Sequence, residues 1–282
     1  MEELISNITK DIISKKELKN LDEQFVKTKL LLFLKKKPIL KRKLEENNCN
    51  KKSKEYKFVI KEMRKSLREI YGVFITKDYS KKDFILNELK NAKVKTEREQ
   101  IINKLLSLHQ SSKERIPIYS EVYKQIFEIT GKPNKILDLG CGLNPLSYHY
   151  LGCKPYYIAS DMNIKDTDFL KRFFDQEEIT GKTISLDLTT NYQALEKYKV
   201  DVCFMFKLLD SLETVKRNLS KEIIRKINSN FLVISFSKKT LGGKKVIDER
   251  KRSWIYKILN ENKVKYQKIE FLNEFFVVGK IE

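Results

Sequence analysis

The chain has 282 residues, 41% of them apolar and 11% aromatic, which is enough for two domains of about 120 residues and excludes disorder throughout. Lys and Arg number 58 against 38 Asp and Glu, a formal charge of +20 that points to a polyanionic partner. Apolar runs reach only five residues, as at 30–34, far below the roughly 18 to 20 residues of a membrane span, and acids stand where a signal peptide carries a basic start, so a cytoplasmic protein with no membrane partner is expected.

Up to about residue 130 the apolar residues recur at helical spacing: Ile5, Ile8 and Ile12; Tyr56, Ile60, Met63, Leu67 and Tyr71; Ile101, Leu105 and Leu108; Val122, Ile126 and Phe127. Pro38, residues 47–50 and Gly72 break the pattern. Residues 1–110 hold 28 Lys and Arg against 16 Asp and Glu, net +12, so the first two fifths of the chain carry three fifths of its charge. Lys35, Lys36, Lys37, Lys41, Arg42 and Lys43, followed by Lys51, Lys52, Lys54 and Lys57, put a dense basic surface there. A solvated face is the bland account of any one such run. The asymmetry between the halves predicts a basic α-helical RNA-docking domain over 1–110 and a separate domain over 111–282.

After Gly131 strands alternate with helices. Strands are predicted at 135–139, 156–160, 183–187, 200–206 and 231–236, helices near 166–177, 192–198, 213–228 and 248–260. Short β-branched and aromatic runs separated by helices imply βαβ units and a parallel sheet. Residues 263–271 and 274–281, with Asn273 at the turn, read as a terminal hairpin that adds an antiparallel strand. Cys49, Cys141, Cys153 and Cys203 form no CxxC pair, and His109 and His149 are the only histidines. Neither a zinc site nor a disulfide framework is expected, and Cys203 inside a strand suits packing better than attack.

The first predicted strand ends Asp138-Leu139-Gly140-Cys141-Gly142. Glycines are needed where the backbone turns sharply and a ligand lies against it. Asp161 closes the second strand about 20 residues on, where a ribose hydroxyl pair would bind, and Asp187 closes the third. A dinucleotide fingerprint would have a third glycine where Pro145 stands, and no acid at Asp138. Three acids at successive strand ends resemble instead the class I S-adenosyl-L-methionine-dependent methyltransferase pattern: a Rossmann-like, seven-stranded, mostly parallel α/β sheet with one antiparallel strand. The alternative, a tight turn with helix-capping acids, leaves that repetition without a cause. After the fourth strand stands Phe206-Lys207-Leu208-Leu209-Asp210, with neither the polar-Pro-Pro-aromatic loop that serves exocyclic amines nor a Cys nucleophile. An acceptor that needs only alignment, such as the in-plane lone pair of guanine N7, suits such a site.

Four blocks make the resemblance specific: residues 108–115, Leu-His-Gln-Ser-Ser-Lys-Glu-Arg; 137–146, Leu-Asp-Leu-Gly-Cys-Gly-Leu-Asn-Pro-Leu; 206–209, Phe-Lys-Leu-Leu; and 233–236, Val-Ile-Ser-Phe, running into 240–244, Thr-Leu-Gly-Gly-Lys. Over roughly 105–282 the chain resembles the FmrO-like, Arm/Rmt-type aminoglycoside-resistance methyltransferases, which methylate N7 of a guanine in the decoding-site helix of 16S rRNA. The resemblance implies that Arg115 holds the cofactor carboxylate, that Gly140, Cys141 and Gly142 approach its amino-acid part, with His109, Asp138 and Phe206 in the same set, that Asp161 binds the ribose, and that Asp187 with Leu188 holds the adenine. It places Lys207, Ser235 and Phe236 near the target base, and makes the small ribosomal subunit the partner of a monomeric enzyme. Lys244, Lys245, Arg250 and Arg252 are expected to join the N-terminal lysines on RNA. The chain departs from the family at Ser237 and Asp210, where prolines are usual, and after Gly243. Rival expectations are a methyltransferase for another structured RNA such as tRNA, and a non-catalytic ribosome-binding protein.

Overall fold

The computed structural model describes residues 2–47, 50–240 and 246–281, so the expectations for Cys49, Lys244 and Lys245 lie outside the described residues. The chain divides into two compact units, Met1–Ser80 and Lys81–Glu282. The first is helical: α1 (Glu2–Ile13), α2 (Glu23–Lys35), α3 (Pro38–Glu46) and α4 (Lys54–Ile70). Local chemistry starts each of the last three. Asp22 accepts from Phe25 N at 2.8 Å, Pro38 takes the first position of α3, and Ser53 accepts from Tyr56 N at 3.1 Å. The core is built from the stripe of α1 (Ile5, Ile8, Ile12), that of α2 (Val26, Leu30, Leu34) and that of α4 (Tyr56, Val59, Met63, Leu67). Arg64 donates to the main-chain carbonyls of Asp11 and Ile12, which satisfies the C-terminal end of α1.

The boundary falls after Ser80, thirty residues ahead of the expected division at 110. Helices α5 (Lys82–Asn91), α6 (Lys95–Leu106), α7 (Gln110–Arg115) and α8 (Tyr119–Thr130) belong to the second unit. Three ion pairs tie the first two to the segment of α9 (Ile164–Gln176) and just beyond it: buried Lys82 with Asp166, Asp83 with Arg172, and Arg98 with Glu177. Helical periodicity announces a helix but is silent on which body receives its apolar face.

The second unit is a seven-stranded sheet of order β3-β2-β1-β4-β5-β7-β6, with β1 (Lys135–Leu139), β2 (Tyr156–Asp161), β3 (Gly181–Ser185), β4 (Lys199–Phe206), β5 (Asn228–Ser237), β6 (Lys265–Glu270) and β7 (Glu274–Lys280). The first five strands run parallel, and β7 is antiparallel to both β5 and β6, the α/β class expected. Alternation along the strands separates two faces. Leu137, Leu139, Cys203, Met205, Leu232 and Ile234 pack with α10 (Leu209–Val215), α11 (Leu219–Ile224) and α12 (Ser253–Glu261). Phe204, on the opposite face, stacks on Tyr123 of α8. The helix expected over 213–228 is in fact the pair α10 and α11, because Lys216 is extended and Asn218 is left-handed at φ 65°. The helix expected at 192–198 is a short 3-10 helix, Tyr192–Lys197. Strand order reverses at β1, between β2 and β4, and the crevice this opens at the carboxyl ends is where open α/β sheets bind ligands. Among the described residues no helix is long and apolar enough to cross a membrane.

Candidate active site

The turn after β1 has the backbone its sequence demands. Gly140 and Gly142 sit at φ 58° and 50°, and a Cβ on either would lie 2.5 Å from Leu208 Cδ1 or 2.7 Å from His109 Nε2. The dihedrals disfavour any side chain, and a Cβ would also force Leu208 or His109 to shift. Burial drives the His109 imidazole down to about 3, so it rests on Gly142 as a neutral ring.

Beneath this turn lie two buried carboxyls. Asp138 Oδ2 accepts from Asn144 Nδ2 at 2.9 Å and Tyr157 OH at 2.7 Å, while its Oδ1 has no hydrogen-bond partner among the described residues. Asp161 Oδ2 accepts from Gly142 N at 3.0 Å and its Oδ1 from Asn163 N at 3.2 Å, which locks the end of β2 to the glycine turn. Burial pushes Asp138 up to about 6, against the opposing hydrogen bonds, and burial with repulsion from Asp166 does the same to Asp161. Asp187 lies two residues past β3, where it accepts from the Thr189 amide and hydroxyl at 3.0 and 2.7 Å and so shapes the turn that presents Leu188. Cys141 is buried and donates its amide to Ser160 O at 3.0 Å.

A charged knot adjoins this crevice at the end of β4. Glu274, buried at the start of β7, accepts from Arg115 Nε at 3.0 Å and from Ser235 Oγ. Lys207 Nζ reaches Glu114 at 2.5 Å and Glu274 at 3.3 Å. Burial alone would raise the Glu274 carboxyl, but the Arg115 guanidinium and the Lys207 ammonium overcome it and hold it below the usual range. The Arg115 guanidinium lies 4.8 Å from the Phe206 ring centroid and also bonds Ser111 Oγ at 2.9 Å. Lys207 stands at φ 53°, a left-handed conformation that costs a non-glycine residue about 1 to 3 kcal/mol and recurs at functional sites. Its amide is held by Ser235 O and Oγ at 3.1 and 3.0 Å. Thus Arg115, Phe206, Lys207 and Ser235, four expected site residues from three separate segments, converge.

Two expected site residues are core residues instead. Phe236 is buried, stacked on Phe275 at 5.4 Å and edge-on to Trp254 at 6.0 Å, and cannot meet a base without unpacking β5 from β7. Arg252, expected on RNA, is buried against that same ring at 5.0 Å, pairs with Asp210 at 2.6 Å and donates to Ser237 O at 2.6 Å. Alternation along β5 turns Ser235 and Phe236 to opposite faces. Arg250 is exposed and paired with Asp248, and Lys35, Lys36, Lys37, Lys41, Arg42 and Lys43 are exposed in the first unit. Glu274, Glu114 and Asn144 were not singled out from sequence. Glu274 carried a signal, an acid opening an otherwise apolar strand, and Glu114 and Asn144 lie inside the family blocks.

The family described as ribosomal RNA methyltransferase (FmrO) matches residues 37–277. The chain belongs to that family. The match reaches into the first unit, beyond the span of the four blocks. The 16S rRNA (guanine(1405)-N(7))-methyltransferase of Micromonospora rosea is 30% identical over 226 residues, 78% of this chain and 81% of that protein. Its counterpart from Proteus mirabilis is 31% identical over 244 residues, with 78% and 84% covered. The crystal structure of the 16S rRNA methyltransferase RmtF with S-adenosyl-L-homocysteine shares the fold, with a TM-score of 0.79 over the whole of both chains at 21% identity. In this chain Asn144, bonded to both Asp138 and Arg115, links the strand-end acids to the Arg115–Lys207 cluster.

Proposed function

We propose that the chain transfers a methyl group from S-adenosyl-L-methionine to N7 of a guanine in the decoding-site helix of 16S rRNA, acting in the cytoplasm as a monomer docked on the assembled small subunit. The observation that carries the cofactor is Asp138 Oδ1, a buried acceptor with no partner among the described residues, set under the glycine turn. Unmet buried acceptors are costly, and an α-ammonium group satisfies this one. Asp161 offers its remaining lone pairs to ribose hydroxyls at the end of β2, and Leu188 an apolar wall to the adenine.

Arg115 has the charge for the cofactor carboxylate. Glu274 takes two of its nitrogens, so the carboxylate meets the Nη1 edge, whose contact to Asn144 Oδ1 is long at 3.4 Å. Bound there, the cofactor supplies an electrophilic methyl on sulfur. Guanine N7 presents a lone pair and has no proton to lose, so the protein aligns acceptor and methyl rather than removing a proton. Lys207 and Ser235 border the place of the base, Lys207 fixed by Glu114 and Glu274. The match of the family to residues 37–277 and the basic first unit support rRNA as acceptor, with the extruded base costing a few kcal/mol that contacts elsewhere on the subunit offset.

The test is transfer of labelled methyl to purified small subunits, large subunits and bulk tRNA, followed by strand cleavage at N7-methylguanine. A single stop in the decoding-site helix is expected. Label in tRNA alone would retain fold and cofactor and overturn the acceptor.

A further inference from the structure

Among the apolar side chains of the first unit that stand away from its core, two share a groove. The buried stripe of α4 is Tyr56, Val59, Met63 and Leu67; Phe58 falls off it and is 42% exposed. The buried residue of α3 is Leu44, whereas Ile39 in its first turn is 67% exposed. Both side chains line one groove of about 530 Å3, together with Lys36, Lys37, Lys43, Lys54 and one acid, Glu55. None of these four lysines has a carboxylate partner among the described residues, although Lys41 and Arg42 on the same stretch pair with Glu45 and Glu46. The Lys37 ammonium lies over the Phe58 ring, 6.0 Å from its centroid, which sets a cation against one aromatic face.

A solvated basic surface accounts for lysines, and a scattered exposed residue for a lone phenyl ring. Neither accounts for an apolar floor bordered by four lysines against a single acid, Glu55. That combination complements an unstacked nucleotide, whose base has a flat π-face and whose flanking phosphates carry the opposite charge. An acidic peptide would match the rim and leave the floor unfilled.

We propose that this groove of α3 and α4 binds an unpaired nucleotide of RNA, with its base stacked on Phe58 beside Ile39 and its phosphates held by Lys36, Lys37, Lys43 and Lys54. The assignment of that RNA to the small ribosomal subunit rests on the function proposed above; the groove's preference for single strands does not. The first unit then selects a splayed base as well as negative charge.

The experiment titrates the full-length chain with a short oligoadenylate and with an RNA duplex of equal length, followed by fluorescence anisotropy at several salt concentrations. The single strand is expected to bind more tightly. Phe58→Ala should weaken it about tenfold, as loss of one stacking contact does, with the salt slope unchanged, and Phe58→Trp should keep wild-type affinity. Lys43→Gln with Lys54→Gln should flatten the salt slope by about 1.4 for two phosphate contacts on a single strand. Phe58 is exposed, so unchanged melting temperatures confirm intact variants. Equal binding by wild type and Phe58→Ala, preference for the duplex, or Phe58-dependent binding to phosphatidylserine vesicles in place of RNA would overturn the proposal. Methyl transfer to small subunits runs in parallel. If the wild-type chain transfers nothing, the proposed function fails while the oligoadenylate titration still decides the groove; if it does, Phe58→Ala should raise KM for subunits and leave kcat unchanged.

Discussion

Glu274→Leu removes the carboxylate on which two buried cations converge. Arg115 bonds it through Nε at 3.0 Å and Nη2 at 2.9 Å, Lys207 approaches to 3.3 Å, and Ser235 donates to it. With the acid gone, Arg115 is left buried with only neutral partners, while Lys207 keeps Glu114. Removing one partner of a buried pair costs about 3 to 5 kcal/mol, most of it the stranded charge. At about 2 to 4 °C per kcal/mol for a body of this size, the melting temperature of the second unit should fall by about 6 to 20 °C in a circular-dichroism scan. The companion variant is the sharper control. Glu274→Leu combined with Arg115→Met leaves no unpaired guanidinium and should recover at least half of the lost stability, because an apolar replacement of a whole buried pair is often neutral. Loss of less than about 2 °C in the single variant, or a double variant worse than additive, would refute the view that charge pairing rather than packing dominates this knot.

Gly140→Ala or Gly142→Ala forces a Cβ into a left-handed backbone and against Leu208 or His109, at about 1 to 2 kcal/mol of backbone strain alone; calorimetry should show S-adenosyl-L-homocysteine binding lost. The Asp138 and Asp161 carboxyls are raised from 3.8 to about 6 in the folded chain. Between those values the folded state holds more protons than the unfolded one, so their contribution to stability falls as pH rises through that window. Affinity for the cofactor's ammonium should conversely weaken as pH drops through about 6, and a flat calorimetric profile from pH 5 to 7.5 would contradict this assignment of Asp138. Arg252→Ala should destabilise the second unit by about 1 to 3 kcal/mol through loss of its pair with the half-exposed Asp210 and of its packing on Phe236, while the salt slope of RNA binding stays that of wild type; a reduced slope would return Arg252 to the RNA surface. A fragment 81–282 should unfold cooperatively, whereas 111–282, stripped of α5 and α6, should be cleaved rapidly in limited proteolysis.

Much of the site was legible because its causes are local. The turn after β1 requires glycine at two left-handed positions, and acids at the ends of β1 and β2 mark the crevice whatever the rest of the chain does. The split of the expected 213–228 helix was not legible, since Lys216 and Asn218 have no local character that forbids helix as proline would. The boundary near residue 80 was hidden for a different reason: α5 and α6 have helical periodicity, and only their ion pairs with the region of α9 show which body they join.

Composition, periodicity and the Asp138 to Gly142 motif by themselves determined the α/β class, the parallel sheet with its antiparallel addition, and the glycine turn with its acids. Tertiary structure alone decided the fate of individual charges. Arg252 and Arg115 look equally available in the sequence, yet one is spent on Asp210 beneath Phe236 and the other on Glu274, a residue 159 positions away. Phe236 and Ser235 are neighbours, yet one fills the core and the other holds Lys207, because strand alternation sends them to opposite faces of the sheet. Which cation meets which carboxylate depends on distances of about 3 Å across separate segments, and those exist only once the chain has folded.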